Sequence, residues 1–375
     1  MSALPLPPLL DHHCHGVLRT DPTAERFASF LTESDAPPAP GTTFFDTQAG
    51  FAVRRWCPPL LGLEPHCPPD AYLARRRELG AAETTRRLLA GSGIGGLLVD
   101  TGIPGDLLGP AELAAAAGPG TTAREILRLE RLAEHTADRT DDTRAFLDGL
   151  AGAVEDGAGT AAGFKSVLAY RHGLDIDPAP PGPAEVRAAA GRWLAGRSPG
   201  GRLTDPVLLR HLLWSAVRTG RPLQLHTGFG DPDLTLHHCD PLLLTGFVRA
   251  TAPTGCPLVL LHCYPYHRQA GYLAHAFPHV HLDMGLALTH TGARATAVLG
   301  EMLELAPFGK LLFSTDAYGL PELYVVGAEL FRRGLRHVLG AWVAEGVWAA
   351  ADAQRVAAMI AADNARRVYG PESFG

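Results

Sequence analysis

The chain has 375 residues, 46% of them hydrophobic, and a net charge of -6 at neutral pH. That length is enough for a large core, the acidic balance argues against a nucleic-acid surface, and no apolar stretch is long enough to span a bilayer. The opening Met-Ser-Ala-Leu-Pro-Leu-Pro-Pro has no basic segment or signal pattern, and Cys14, Cys57, Cys67, Cys239, Cys256 and Cys263 form no CxxC pair and read as reduced thiols; a cytoplasmic location is expected.

Apolar runs and turn residues alternate strand and helix along the chain. Residues 9–15 predict a first strand. Residues 16–69 read as irregular, rich in proline and aromatic side chains, and too long for an ordinary connection, so they are expected to cap a pocket. A helix is predicted over 72–90 and a strand over 95–101. The glycines of 91–96 mimic a dinucleotide loop, but they follow a helix and precede a strand, the reverse of the required context, and read as a helix stop. The small residues of 111–118 suggest a flexible loop, 125–132 a third strand and 143–153 a helix. A fourth strand is expected over 161–165, then a proline-rich loop over 177–183 and helices over 184–194 and 205–218. A fifth strand over 223–227, a helix over 241–249 and a sixth strand over 258–263 follow. Then come a helix over 267–276, a seventh strand over 280–283, a helix over 291–305 and an eighth strand over 311–315. The pattern from 321 to 369 is helical. This alternation predicts a (β/α)8 TIM barrel, one domain over 1–375 with 16–69 as its cap.

In such a fold, polar residues at the C-terminal ends of strands build the active site. His13 and His15 share one face of the first strand, because side chains alternate with period two. Lys165, His226, His262 and Asp316 each end a later apolar run. Imidazole and carboxylate together suit a divalent metal of intermediate softness. A protonated lysine has no lone pair, so Lys165 could bridge metals only as a carbamate; otherwise it binds substrate as an ammonium. His12 points away from His13 and reads as a core or supporting histidine. His66, His172, His237, His238, His267 and His290 fall in loops and read mainly as surface residues. Arg54, Arg55, Arg171 and Arg268 are candidates for a substrate carboxylate or phosphate, and Tyr170, Tyr264 and Tyr266 for the pocket lining.

The ordered set resembles the amidohydrolase superfamily, closest to the branch that includes the amidohydrolase-like domain of FluG-type proteins. The stretches that carry the resemblance are Asp11-His-His-Cys-His15, Val99-Asp-Thr-Gly-Ile103, Gly163-Phe-Lys-Ser-Val-Leu-Ala-Tyr-Arg171, His226-Thr-Gly-Phe-Gly-Asp231, Tyr264-Pro-Tyr-His-Arg-Gln-Ala-Gly-Tyr272 and Phe313-Ser-Thr-Asp316. The resemblance implies one or two divalent ions, zinc first with iron or manganese as alternatives, and a carboxylated Lys165 between two ions. It implies a metal-bound hydroxide as nucleophile and Asp316 as both ligand and proton shuttle.

The leading expectation is a hydrolase acting on an amide- or ester-type bond of a small molecule. The same ligands could serve a non-haem iron or di-iron oxygenase, or a metal-dependent decarboxylase. The expected partner is a small-molecule substrate, with no nucleic acid and no membrane; a homo-oligomer is left open. Tyr170, Arg171, Tyr264 and Arg268 are the expected substrate-binding residues.

Overall fold

The computed structural model describes residues 4–374; the first three residues of the N-terminal stretch read for a signal lie outside the described residues. Seven strands are present among them: β1 (Leu9–Cys14), β2 (Ile94–Asp100), β3 (Thr122–Arg128), β4 (Gly163–Ser166), β5 (Leu223–Thr227), β6 (Leu258–His262) and β7 (Val280–Leu282), with helices between them. All but β3 are almost wholly buried. Burial on both faces is why they are apolar runs rather than alternating ones, the signature of parallel α/β strands. The α/β class read from sequence therefore holds. No helix among the described residues is long and apolar enough to cross a membrane.

The backbone gathers into two compact units, the first comprising residues 1–124, 230–232 and 283–375 and the second residues 125–229 and 233–282. In the first unit β1 pairs in parallel with β2. The register runs Leu9 to Ile94, Leu10 to Gly96, Asp11 to Leu97 and Cys14 to Val99, with an irregularity between Asp11 and Cys14 that takes in His12 and His13. Such irregularities re-aim side chains and recur beside functional sites. Gly96 is required by packing, since a Cβ there would lie 2.8 Å from Leu10 and 2.7 Å from Phe374.

Residues 311–316 flank β1 without forming a regular strand. His12 N–H donates to Phe313 O (3.2 Å), Asp316 N–H to His13 O (3.0 Å) and His15 N–H to Ala317 O (2.8 Å). Regular pairing is lost because the Asp11 carboxylate takes the Thr315 N–H (3.0 Å) and because Asp316 turns to a positive φ of 53°.

Three further local readings change in the first unit. The helix predicted over 72–90 is two, Pro69–Leu79 and Ala81–Ser92, separated by Gly80 at φ 78°. The loop expected over 111–118 is the helix Pro110–Ala117. Proline occupies its first turn and the Glu112 carboxylate accepts from Gly109 N–H (2.9 Å), both helix-start devices. Residues 16–69 are not wholly irregular: they hold the helices Ala24–Ser29 and Gln48–Trp56, capped by Thr23 and Thr47, and a tight turn over Pro58–Leu61.

The second unit pairs β3 through β7 in chain order, all parallel. Lys165 lies opposite Arg128 on one side and Gln224 on the other, and Thr227 opposite His262. The third strand ends at Arg128 and the rest of the predicted 125–132 run turns into the helix Leu129–Ala137. Gly228 (φ 76°) follows β5, where a Cβ would sit 2.3 Å from Tyr264 O.

The long helix Pro321–Ala344 anchors neighbours in the first unit through Glu322. This carboxylate is fully buried, 2.9 Å from Arg76 Nε, and accepts from the Tyr72 hydroxyl at 2.7 Å. Removing one partner of a buried pair leaves an uncompensated charge. Glu322→Ala is therefore expected to cost about 3–5 kcal/mol, read from equilibrium unfolding in guanidinium. A loss below about 1 kcal/mol would show that Asp21, 3.5 Å from Arg76, suffices as its counter-charge.

Candidate metal centre

In the first unit, ligand atoms of His13, His15 and Asp316 all lie within 4.8 Å of one another. Asp316 Oδ1 is 3.0 Å from His13 Nε2 and 3.2 Å from His15 Nε2. The imidazole rings stand 5.0 Å apart at 85°. The two histidines come from β1 and the residue after it, and the main-chain bonds around Asp316 put its carboxylate beside both. Asp316 is one of the few non-glycine residues at positive φ, a conformation aspartate tolerates better than most side chains.

The chemistry of this trio fits a cation. His15 Nδ1 is 3.0 Å from the Asp100 main-chain carbonyl. A carbonyl only accepts, so Nδ1 carries a proton, and in the neutral ring the Nε2 lone pair faces the Asp316 carboxylate. A lone pair and an anionic oxygen at 3.2 Å repel unless they share a proton or a metal ion. The Tyr324 hydroxyl donates to His15 O, fixing the backbone behind the ring.

Two buried acids brace the trio. Asp11 accepts from Thr315 Oγ1 (2.5 Å), Thr315 N–H and His13 N–H (3.3 Å), and burial pushes its carboxyl up to about 8 against those bonds. His12 lies on the opposite side, with Nε2 2.8 Å from Asp283 and Nδ1 3.1 Å from the Tyr369 hydroxyl. It is a supporting histidine, as its strand phase suggested.

In the second unit, His226 and His262 have ring centroids 4.8 Å apart, and Tyr170 lies 4.5 Å from His226. His262 ends β6 at φ 67° and Cys263 follows at φ 61°. Lys165 is buried in β4. Beside it, Glu130 accepts from Ser166 Oγ (2.6 Å) and Val167 N–H (3.0 Å), and burial raises its pKa.

The other candidates divide. Arg171 is buried and pairs with Glu134 at 3.2 Å, and burial lowers its pKa. Tyr264 stacks on His267 at 5.7 Å, and Arg268 is exposed. Arg54 donates to the carbonyls of His66 and Cys67, and Arg55 lies over the Trp56 ring, so both serve local structure. His237 and His238, exposed in the 3-10 turn Leu236–Cys239, meet edge to face, and His290 pairs with Glu33. Sequence reasoning passed over Asp11, Asp283, Glu130 and Glu134. Asp11 alone left a signal, since it shares the strand phase of His13 and His15.

A family model for amidohydrolases matches residues 104–370. The chain belongs to the amidohydrolase family. The matched span includes Lys165, His226, His262 and Asp316, while His13 and His15 precede it. Protein fluG of Emericella nidulans is 35% identical over 240 residues, 60% of this amidohydrolase and 27% of that protein, so the chain spans about a quarter of that relative's length. A Lactobacillus casei protein assigned as a metal-dependent hydrolase has 29% identity and a TM-score of 0.86, over 98% of this chain and 96% of that one. Uronate isomerases of Bacillus halodurans and Thermotoga maritima, each 13% identical, share the fold. Their TM-scores are 0.64 and 0.59; the first covers 97% of this amidohydrolase and 93% of its own chain, the second 96% and 94%.

If the trio holds a metal, His13→Ala and Asp316→Ala should each lower bound zinc after equilibrium dialysis, measured by elemental analysis. His12→Ala should retain the metal while losing stability, because its nitrogens are engaged by Asp283 and Tyr369. Equal metal loss in all three variants would show that the effect is unfolding rather than ligation.

Proposed function

We propose that this amidohydrolase is a metal-dependent hydrolase of an amide- or ester-type bond in a small molecule, built as a single (β/α)8 barrel domain. The observation that carries the reading is Asp316 Oδ1 held within 3.2 Å of two imidazole nitrogens in a chain of this family. The family span and the likeness to the Lactobacillus casei protein support it.

His13, His15 and Asp316 would hold the ion, with zinc the first choice for a nitrogen and carboxylate set. The proposal also assigns His226 and His262 to ligation, and Lys165 to a carbamate bridge between two ions or to substrate binding as an ammonium. A divalent ion bound there supplies Lewis acidity, making water a stronger acid and polarising a carbonyl.

Asp316 does the proton work. Its Oδ1 can accept a proton from water and pass it to the leaving nitrogen or oxygen. His15, held by the Asp100 carbonyl and by Tyr324, keeps its Nε2 directed at that carboxylate. Tyr170, Tyr264, Arg171 and Arg268 are assigned to substrate. Residues 16–69 are assigned as the cap. What supports this is Phe30, whose ring is 5.4 Å from Tyr318, which in turn meets the His15 ring edge-on at 6.0 Å.

Asp316→Asn tests the mechanism. The amide oxygen remains a ligand but cannot accept a proton. Metal content should be largely kept, while hydrolysis of a p-nitrophenyl ester should fall by about 10²–10⁴. Near-normal turnover with metal bound would remove the proton-transfer role. Oxygen consumption by an iron-loaded wild type, without hydrolysis, would replace the hydrolase by an oxygenase.

A further inference from the structure

Arg171 closes the short helix Leu168–Arg171 that leaves β4 in the second unit. Its side chain is only 6% exposed. Nη2 donates to Glu134 Oε1 at 3.2 Å, but neither Nε nor Nη1 meets a hydrogen-bond partner among the described residues. Buried guanidinium donors are ordinarily satisfied, because leaving them bare forfeits their hydration. Glu134 does not supply the missing acceptor. It also receives Arg131 Nη1 (2.9 Å) and Leu203 N–H (3.0 Å), so one carboxylate is divided among three donors. Burial opposes the charge on Arg171 most, the Glu134 and Glu130 carboxylates favour it, and the nearby charges of Arg202 and Arg128 oppose it. The adjacent Tyr170 lies against His226.

We infer that Arg171 anchors a carboxylate group of the substrate, with Glu134 as the residue that positions the guanidinium. The substrate is therefore an acidic small molecule, an amide or ester that also bears a free carboxylate. A carboxylate fits better than a phosphate dianion. Arg171 is buried with both Nε and Nη1 unused, whereas Arg202 is half exposed and engaged by Asp233 at 2.5 Å. A planar carboxylate matches a single guanidinium in charge and in fork geometry. The inference rests on the hydrolase reading for the bond that is cleaved, but binding of the carboxylate can be measured without turnover.

Isothermal titration of the full chain, with and without zinc, separates the two readings. The probes are phenylacetate, its neutral isostere phenylacetamide, and phenylphosphonate. Phenylacetate should bind saturably and at least about tenfold more tightly than phenylacetamide. Arg171→Met should remove that preference. Arg171→Lys keeps the charge and a bond to Glu134 but loses the fork, and should also weaken phenylacetate by about tenfold with its melting temperature little changed. It gives the answer if the methionine variant fails to fold. His13→Ala should keep phenylacetate binding even if it abolishes hydrolysis, so failure of the metal reading leaves this result intact. Equal binding of phenylacetate and phenylacetamide, or no loss in Arg171→Lys, would overturn the inference and leave water between Arg171 and Glu130 Oε2 as the partner. Tighter binding of phenylphosphonate would overturn the choice of carboxylate.

Discussion

The candidate metal centre depends on how the chain on either side of Asp316 is fastened to β1. Asp316 N–H donates to His13 O, and His15 N–H donates to Ala317 O. These two bonds alternate along one edge and hold the Asp316 main chain where its carboxylate reaches both imidazoles. The left-handed backbone at Asp316 costs roughly 1–2 kcal/mol, and hydrogen bonds worth about 1 kcal/mol each offset it. The Asp11 carboxylate adds a further tie to Thr315. A segment held this way loses little further order on taking up a ligand, which is the condition for a preorganised site.

The buried carboxylates near the strand ends fall into two kinds. Asp11, Asp100, Asp283 and Glu130 each accept main-chain N–H groups: from Thr315 and His13, from Gly102 (2.8 Å), from Gly285 (3.0 Å) and from Val167. They fix turns where strands end, and a substitution at any of them is first a loss of backbone support. Asp316 differs. Its side chain is 12% exposed and its close contacts are imidazole nitrogens rather than amides. Asp100 ends β2 and Asp283 follows β7, while Asp11 lies within β1 and Glu130 in the helix after β3; what sets Asp316 apart from all four is its partners.

That distinction marks what could be read in advance. The strand over Leu223–Thr227 and the helix His267–Ala276 were legible to the residue, because an apolar run or a helical stripe sits between clear turn residues. The faces of His13, His15 and His12 were legible from period two. The helix Pro110–Ala117 was obscured by its alanines and the glycines that flank it, although Pro110 and Glu112 were the signal in plain sight. The helices within 16–69 are short, and their proline-rich surroundings hid caps at Thr23 and Thr47. The support of His15 by Asp100 was not legible at all. It is made by a main-chain carbonyl that any residue would supply, and only the register of β1 on β2 brings it there. The sharing of Glu134 between Arg131, Arg171 and Leu203 spans 69 residues of chain and is equally invisible to local pattern.

Each unit carries a different part of the chemistry. The first offers a carboxylate between two imidazoles, suited to holding a cation and moving a proton. The second offers the Tyr170, His226 and His262 rings together with the buried Arg171 guanidinium paired with Glu134. Amidohydrolases share their fold with uronate isomerases, so the fold does not choose between breaking a bond and moving a hydrogen. On the proposed reading, the choice lies with what Asp316 does with a proton once it has accepted one. Delivered to a departing nitrogen or oxygen, the proton completes hydrolysis; returned to a neighbouring carbon of the same substrate, it completes an isomerisation. The fastening of Asp316 to β1 leaves its side-chain torsions as the main freedom for that delivery. On the proposed reading, the groups that orient the substrate bear on the reaction class as much as those that would hold the ion.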